Sequence, residues 1–133
     1  NGSTASTGKF KYHITSNGSD AWSDLYDFNN FWGTWNNITL SYDEGSSTFK
    51  LYLNGSKIGT KVQAGYGPLQ FTNASTLIFG TVHFQTDPSL TSATGSQPWA
   101  SYLTGAMDEV RIYDKALTED EVNALVKLQG RGK

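Results

Sequence analysis

Cysteine is absent from all 133 residues. That excludes a disulfide framework, a thiolate zinc site and a cysteine nucleophile. It assigns no compartment, because exported bacterial domains also do without cysteine. No apolar run approaches the ~18 residues of a membrane-spanning helix. No basic stretch followed by an apolar one opens the chain, so any signal peptide is expected upstream or already removed. Charge is scarce as well: 17% of residues are charged and the formal net charge is −2. No Lys/Arg cluster exceeds the Arg131-Gly132-Lys133 end. Nothing here draws the chain to nucleic acid or to an anionic membrane.

Aromatic residues, at 14%, and 14 glycines are what is plentiful, among many Ser and Thr. Such a chain is long enough for one domain, and its composition points to an all-β globular fold rather than disorder. Five Asn-x-Ser/Thr triplets begin at Asn1, Asn17, Asn37, Asn54 and Asn73. In so Ser/Thr-rich a sequence they read as chance before they read as glycan acceptors.

Alternation marks the strands. Residues 10–15 (FKYHIT) place Phe10, Tyr12 and Ile14 on one face. Residues 16–33 form a polar segment studded with aromatics, part loop, with one short strand near Leu25 to Phe28. Residues 35–43 put Ile38, Leu40 and Tyr42 together, and after a tight turn at 43–47 the segment TFKLYL groups Phe49, Leu51 and Leu53. Asn54-Gly55 is a strong hairpin signal, because a type I′ turn needs positive φ at both central residues. It returns the chain into 56–62. Residues 75–84 read as a long, mostly buried strand with Gly80 at a close approach or bulge. Residues 85–103 form a long loop of the kind that carries function. MDEVRIYD reads as a last strand.

The chain closes on a helix. Thr118 is its expected N-cap, with Glu121 at N3 completing a capping box and Leu117 and Val122 forming the hydrophobic staple. Glu119, Asp120 and Glu121 oppose the positive helix end, and Gly130 stands where a C′ glycine belongs. An apolar stripe of Val122, Leu125 and Val126, about two turns long, must pack on a sheet to be stable.

The ordered motifs WNNITLSYD, FKLYLNGSKIGT, LIFGTVHF and YLTGAMDEVRIYDKALTEDEVNAL resemble the laminin-G-like branch of the concanavalin A-like lectin/glucanase superfamily. The resemblance runs from Gly8 to Leu128, and the insert at 85–103 is similar to versions in surface proteins of gut Bacteroidetes. It implies an antiparallel β-sandwich of jelly-roll type with one short C-terminal helix, at 9–129, between a linker at 1–8 and a tail at 130–133. Relative to the family pattern the opening strands are missing, so either the sequence is a fragment or another segment or chain is expected to supply them. Unpaired edges of that kind invite association. The resemblance also makes Trp35 the family's core tryptophan.

Glucanases of this superfamily use paired carboxylates in a Glu-x-Asp-x-x-Glu arrangement, and retaining chemistry needs them ~5 Å apart. No such pattern occurs. Asp108 and Glu109 are adjacent, so a strand sends them to opposite faces, while Glu119 and Glu121 serve the helix cap. His13 and His83 show no Ser or Asp partner in the sequence. No enzymatic role is expected. Asp108 alternates with apolar neighbours and is expected inward, as an acceptor for backbone N–H groups or as a ligand for calcium, which the sequence permits without requiring.

Sugar binding relies on exposed aromatic faces that stack on a pyranose. Trp22, Tyr26 and Trp32 in the polar Asp/Asn-rich segment, with Trp99 and Tyr102 in or after the long loop, are the candidate stacking residues. The reading is a non-catalytic carbohydrate-binding module of an exported or cell-surface protein, taking poly- or oligosaccharide. Its alternative is an adhesion or scaffold domain that binds protein and has no sugar site.

Overall fold

A computed structural model describes residues 7–72, 74, 76–90 and 102–130. Seven strands are present among them: β1 (Thr7–Phe10), β2 (His13–Ser16), β3 (Ser19–Trp22), β4 (Tyr26–Asn29), β5 (Ile38–Asp43), β6 (Thr48–Leu53) and β7 (Ser56–Val62). They form three antiparallel sheets, β1–β4, β2–β3 and β5–β6–β7. One helix, α1 (Glu119–Gln129), ends the chain. Two compact units are distinguished, Asn1–Thr72 with Arg111–Lys133, and Asn73–Val110.

Two hairpins of the first unit turn on Asn-Gly. Asn54 and Gly55 lie at φ 50° and 84°, and Asn17 and Gly18 at 47° and 76°. Positive φ at both central residues is what a type I′ turn requires, and its twist matches that of the flanking strands. The second of these turns joins β2 to β3, and the polar segment holds two short strands, β3 and β4, where one was expected.

Strand β6 is buried on both faces. One face carries Phe49 and Leu51, paired with Tyr42 and Leu40 of β5, as the alternation predicts. The β2–β3 hairpin packs on this face, so that Tyr12, Ala21 and Phe49 form a core flanked by Phe10, Ile14, Tyr42, Tyr66 and Leu69. Tyr12 and Phe49 lie 5.3 Å apart, Tyr42 and Phe49 4.3 Å. The opposite face carries Tyr52, which packs on Leu117, Val122 and Leu125. Ser41 is consequently buried beneath the helix start, where its hydroxyl donates to the Leu117 carbonyl at 3.4 Å. Ile38 and Leu40, at the strand's other end, stay half-exposed.

Helix α1 forms as its capping signals predict. The Thr118 hydroxyl accepts from Glu121 N–H at 3.2 Å, and the Glu121 carboxylate accepts from Thr118 N–H at 2.8 Å. Lys115 Nζ pairs with Glu121 at 2.7 Å and Lys57 Nζ with Glu119 at 3.2 Å. At the other end the expected left-handed glycine is not found. Gly130 is right-handed (φ −74°, ψ −10°) and donates to the Val126 carbonyl at 2.9 Å. The helical turn simply runs out, so no reversal of backbone hand is needed.

Several expectations are corrected. Residues 10–15 break at Lys11–Tyr12 into two strands that pair in different sheets. Thr7 and Gly8, read as linker, are already strand β1. Among the described residues of 76–84 and 107–114 no strand forms, and a 3₁₀ turn occupies His83–Gln85. A strand-like sequence becomes a strand only when a neighbouring strand satisfies its backbone, and among the described residues no strand pairs with these segments. Most of their apolar side chains are accordingly exposed, Leu77 to 66% and Ile112 to 80%, while Ile78, Val82 and Phe84 are half-buried. Asp108 is exposed for the same reason rather than turned inward, and its carboxylate accepts from the neighbouring Glu109 N–H at 2.8 Å. Trp35, expected as core, is 56% exposed. It precedes β5 by three residues, where neither face of the sheet has begun. Within Asn73–Val110, Leu103 N–H donates to the Gly80 carbonyl at 2.6 Å and Leu90 N–H to the His83 carbonyl at 3.0 Å.

Candidate functional site

Within the first unit the candidate aromatics Trp22, Tyr26 and Trp32 are held in separate places. Trp32 follows β4. Its Nε1–H donates to the Thr7 carbonyl at 3.1 Å and its ring meets Phe31 edge-on at 5.1 Å. A methyl group added at Gly8 would lie 3.5 Å from the indole, so this ring rests against the buried Gly8. Pinned in this way, Trp32 remains 48% exposed.

Trp22 ends β3, directly across from His13 of β2. The two rings stack at 3.7 Å and 5°, and Lys11 Nζ stands 4.2 Å from the Trp22 ring centroid. The indole is 47% exposed, yet an imidazole already covers one of its faces. His13 Nε2 also reaches Asp20 Oδ1 at 2.9 Å, and the Thr15 hydroxyl donates to the same oxygen at 2.6 Å. These contacts, Thr15 foremost, hold the Asp20 carboxyl below its ordinary range. His13 thus has an acidic partner that spacing alone did not reveal. All three side chains nevertheless meet at one carboxylate oxygen, so no relay through the imidazole is formed.

Tyr26 packs directly over Gly59 of β7, so closely that any side chain at residue 59 would collide with its ring. Burial, with Asp24 nearby, pushes its phenol up. Tyr102 belongs to the other unit and donates to the Gln85 carbonyl at 2.8 Å. Trp99 lies outside the described residues. Among the described residues no three His, Cys, Asp or Glu side chains are grouped to hold a metal ion.

A feature the sequence reading missed is a cleft of about 470 Å³ between the β2–β3 turn and the loop at 63–70. Asn17 N–H donates to the Gln70 carbonyl at 3.0 Å, and Gln70 N–H donates to the buried Ser16 hydroxyl at 2.8 Å. The Tyr66 hydroxyl reaches the carbonyls of Ile14 and Ser19 at 2.8 and 3.0 Å, and Tyr42 donates to the Gly67 carbonyl at 2.5 Å. Gly65 and Gly67, at φ 75° and 65°, let the loop bend around Tyr66. The one signal that could have located this cleft was Asn17-Gly18, which carries the same turn chemistry as Asn54-Gly55.

A family model described as the concanavalin A-like lectin/glucanases superfamily matches residues 3–123. The chain belongs to the concanavalin A-like lectin/glucanase superfamily. Its antiparallel sheets and single C-terminal helix are those of this β-sandwich family. Among curated proteins none matches. Among solved structures it is similar to residues 221–444 of an S-layer domain-containing protein from Clostridium thermocellum ATCC 27405, at 27% identity and a TM-score of 0.53. That match covers 90% of this chain and 52% of the other, so the lectin/glucanase domain here spans about half the length of its neighbour.

Proposed function

We propose that this domain is a non-catalytic carbohydrate-binding module of an exported or cell-surface protein, capturing poly- or oligosaccharide. The observation that carries the proposal is Trp32. A large aromatic ring fixed by its own N–H and by contact with Gly8, yet half open to solvent, is a pre-ordered platform for a sugar face. The superfamily's lectin members and the structural neighbour, an S-layer domain-containing protein, support a surface setting. No helix among the described residues is long and apolar enough to cross a membrane. The non-catalytic part of the reading is supported by the carboxylates. Asp24, Asp27, Glu119 and Glu121 each pair with a lysine, and Asp20 with Thr15 and His13.

The test is a glycan array followed by calorimetry on the strongest ligand. Trp32→Ala is expected to lose on the order of 1–3 kcal/mol of binding, or roughly tenfold or more in affinity, by the value of one buried ring. An array with no specific signal overturns the proposal. The second reading, a protein-binding adhesion or scaffold domain, is favoured by the S-layer neighbour. It predicts binding in an extracellular-matrix overlay that Trp32→Ala leaves untouched.

A further inference from the structure

We infer that the cleft between the Asn17-Gly18 turn and the 63–70 loop is a binding site for an uncharged sugar unit. The inference rests on the domain's being a glycan binder and adds which class of glycan it takes and where.

Chemistry decides the class. The cleft is lined by Ser, Asn, Gln, Gly, Ala, Pro and Tyr, with no ionisable Asp, Glu, Lys, Arg or His among them. A uronate, sulfate or phosphate entering it would meet no cation in the lining. A hydroxyl-rich neutral ring meets what it needs. Each amide side chain offers two N–H donors and a carbonyl acceptor, and each sugar hydroxyl both donates and accepts.

Those amides are available. Among the described residues the side chains of Asn17, Gln63 and Gln70 and the Ser19 hydroxyl make no hydrogen bond to the protein. The contrast with the other Asn-Gly turn is direct. Asn54 spends its amide, Oδ1 accepting from Asn37 N–H at 2.8 Å and Nδ2 donating to Asn36 at 3.0 Å. Asn17 occupies the same turn position with its amide unspent, and it faces the cleft.

The frame around these groups is already ordered. The turn and the loop are joined through Asn17 N–H, Gln70 N–H and the Tyr66 hydroxyl, so binding need not first fix the backbone. A volume near 470 Å³ lies within the ~300–1,000 Å³ of small-molecule sites.

The experiment uses the intact chain on an array carrying both neutral and acidic glycans, then titrates the strongest neutral ligand. Four proteins are compared: the parent, Trp32→Ala, and two cleft variants, the Gln63→Ala/Gln70→Ala double variant and Asn17→Gly. Both variants keep the backbone bonds, and glycine suits the positive φ at 17. Each cleft variant is expected to bind at least tenfold more weakly than the parent with an unchanged melting temperature. Parent affinity is expected to be flat between low and high salt, since no charge is screened. Selective, salt-sensitive capture of acidic glycans overturns the inference but leaves the carbohydrate-binding proposal standing. So does neutral-glycan binding that Trp32→Ala abolishes and both cleft variants preserve. Failure to bind any glycan, or binding of peptide alone, removes both.

Discussion

Replacing Val122 by alanine tests the clamp that closes the chain. Val122 is fully buried against Tyr52 and Leu117, on the β6 face opposite the Phe49 core. Valine to alanine removes two methyl groups, worth ~0.8 kcal/mol each in transfer from water. The void they leave adds a penalty of ~24 cal/mol per Å³ to the extent that the helix cannot settle inward. The expected loss is therefore about 1–3 kcal/mol. For a unit near 100 residues each kcal/mol moves the midpoint by roughly 4–8 °C, so a fall of about 10 °C in a calorimetric scan is the central expectation. Leu128→Ala, on the solvent-exposed side of the same helix, is the control and is expected to stay within ~0.5 kcal/mol. Glycan affinity measured well below the transition is expected to be the same in all three proteins. If Val122→Ala left the midpoint unmoved, or if Leu128→Ala cost as much, the helix would not be held by this staple. If Val122→Ala lost binding at an unchanged midpoint, the helix would belong to the ligand site.

Three further outcomes follow from single groups. Gly55→Val is expected to cost more than ~1–2 kcal/mol in denaturant titration, because φ is 84° and an added Cβ would stand 2.6 Å from Asn123 Oδ1; an unshifted midpoint refutes the turn assignment. Tyr12 carries a buried hydroxyl with no hydrogen-bond partner, and burial, with Tyr26 and Asp24 nearby, pushes its pKa up to about 12. Tyr12→Phe is expected to be neutral or to stabilise by about 1 kcal/mol, and a marked loss of stability would reveal a partner for that hydroxyl. Glu121 has its pKa lowered from 4.5 to about 2 by the Lys115 ammonium first and Thr118 N–H second. A folded-state pKa below the unfolded one contributes stability that is complete above pH 4.5 and disappears as pH falls toward 2. Helicity followed by circular dichroism is expected to weaken across that window, and Glu121→Gln to flatten the dependence; an unchanged acid limb in the variant would assign it to another group.

What could be read in the sequence divides along the reach of the interaction. The Asn54-Gly55 turn, the Thr118–Glu121 box and the Leu117–Val122 staple are specified within five residues, and all three formed. Strands β5 to β7 are joined by tight turns, so their pairing also followed from the local pattern, with one shift of register between β6 and β7 at Leu51/Tyr52. The segments at 76–84 and 107–114 carry equally strand-like patterns, an apolar run in the first and alternation in the second, without a neighbour one turn away, and such a pattern then states only what would be buried once a partner arrived. Ser41 shows the converse. Nothing local marks it for burial, and it is buried because a helix 76 residues later in the chain lies over it.

The site was harder to read than the fold for a reason the two Asn-Gly turns make plain. A turn uses asparagine's backbone, through its tolerance of positive φ, and makes no demand on the amide. The amide is then free either to brace a neighbouring strand, as Asn54 braces Asn37, or to face an open cleft, as Asn17 does. Identical dipeptides therefore encode one structural turn and one candidate reader of hydroxyls. The difference is set by what the fold brings alongside: Asn36 and Asn37 in the first case, the uncharged 63–70 loop in the second. The same holds for the indoles. Trp22 and Trp32 were equivalent as residues in a polar segment, and cross-strand pairing gave the first an imidazole cover while Gly8 left the second half open. Binding capacity here depends on which side chains are left unspent by folding, and that remainder exists only after the strands have paired.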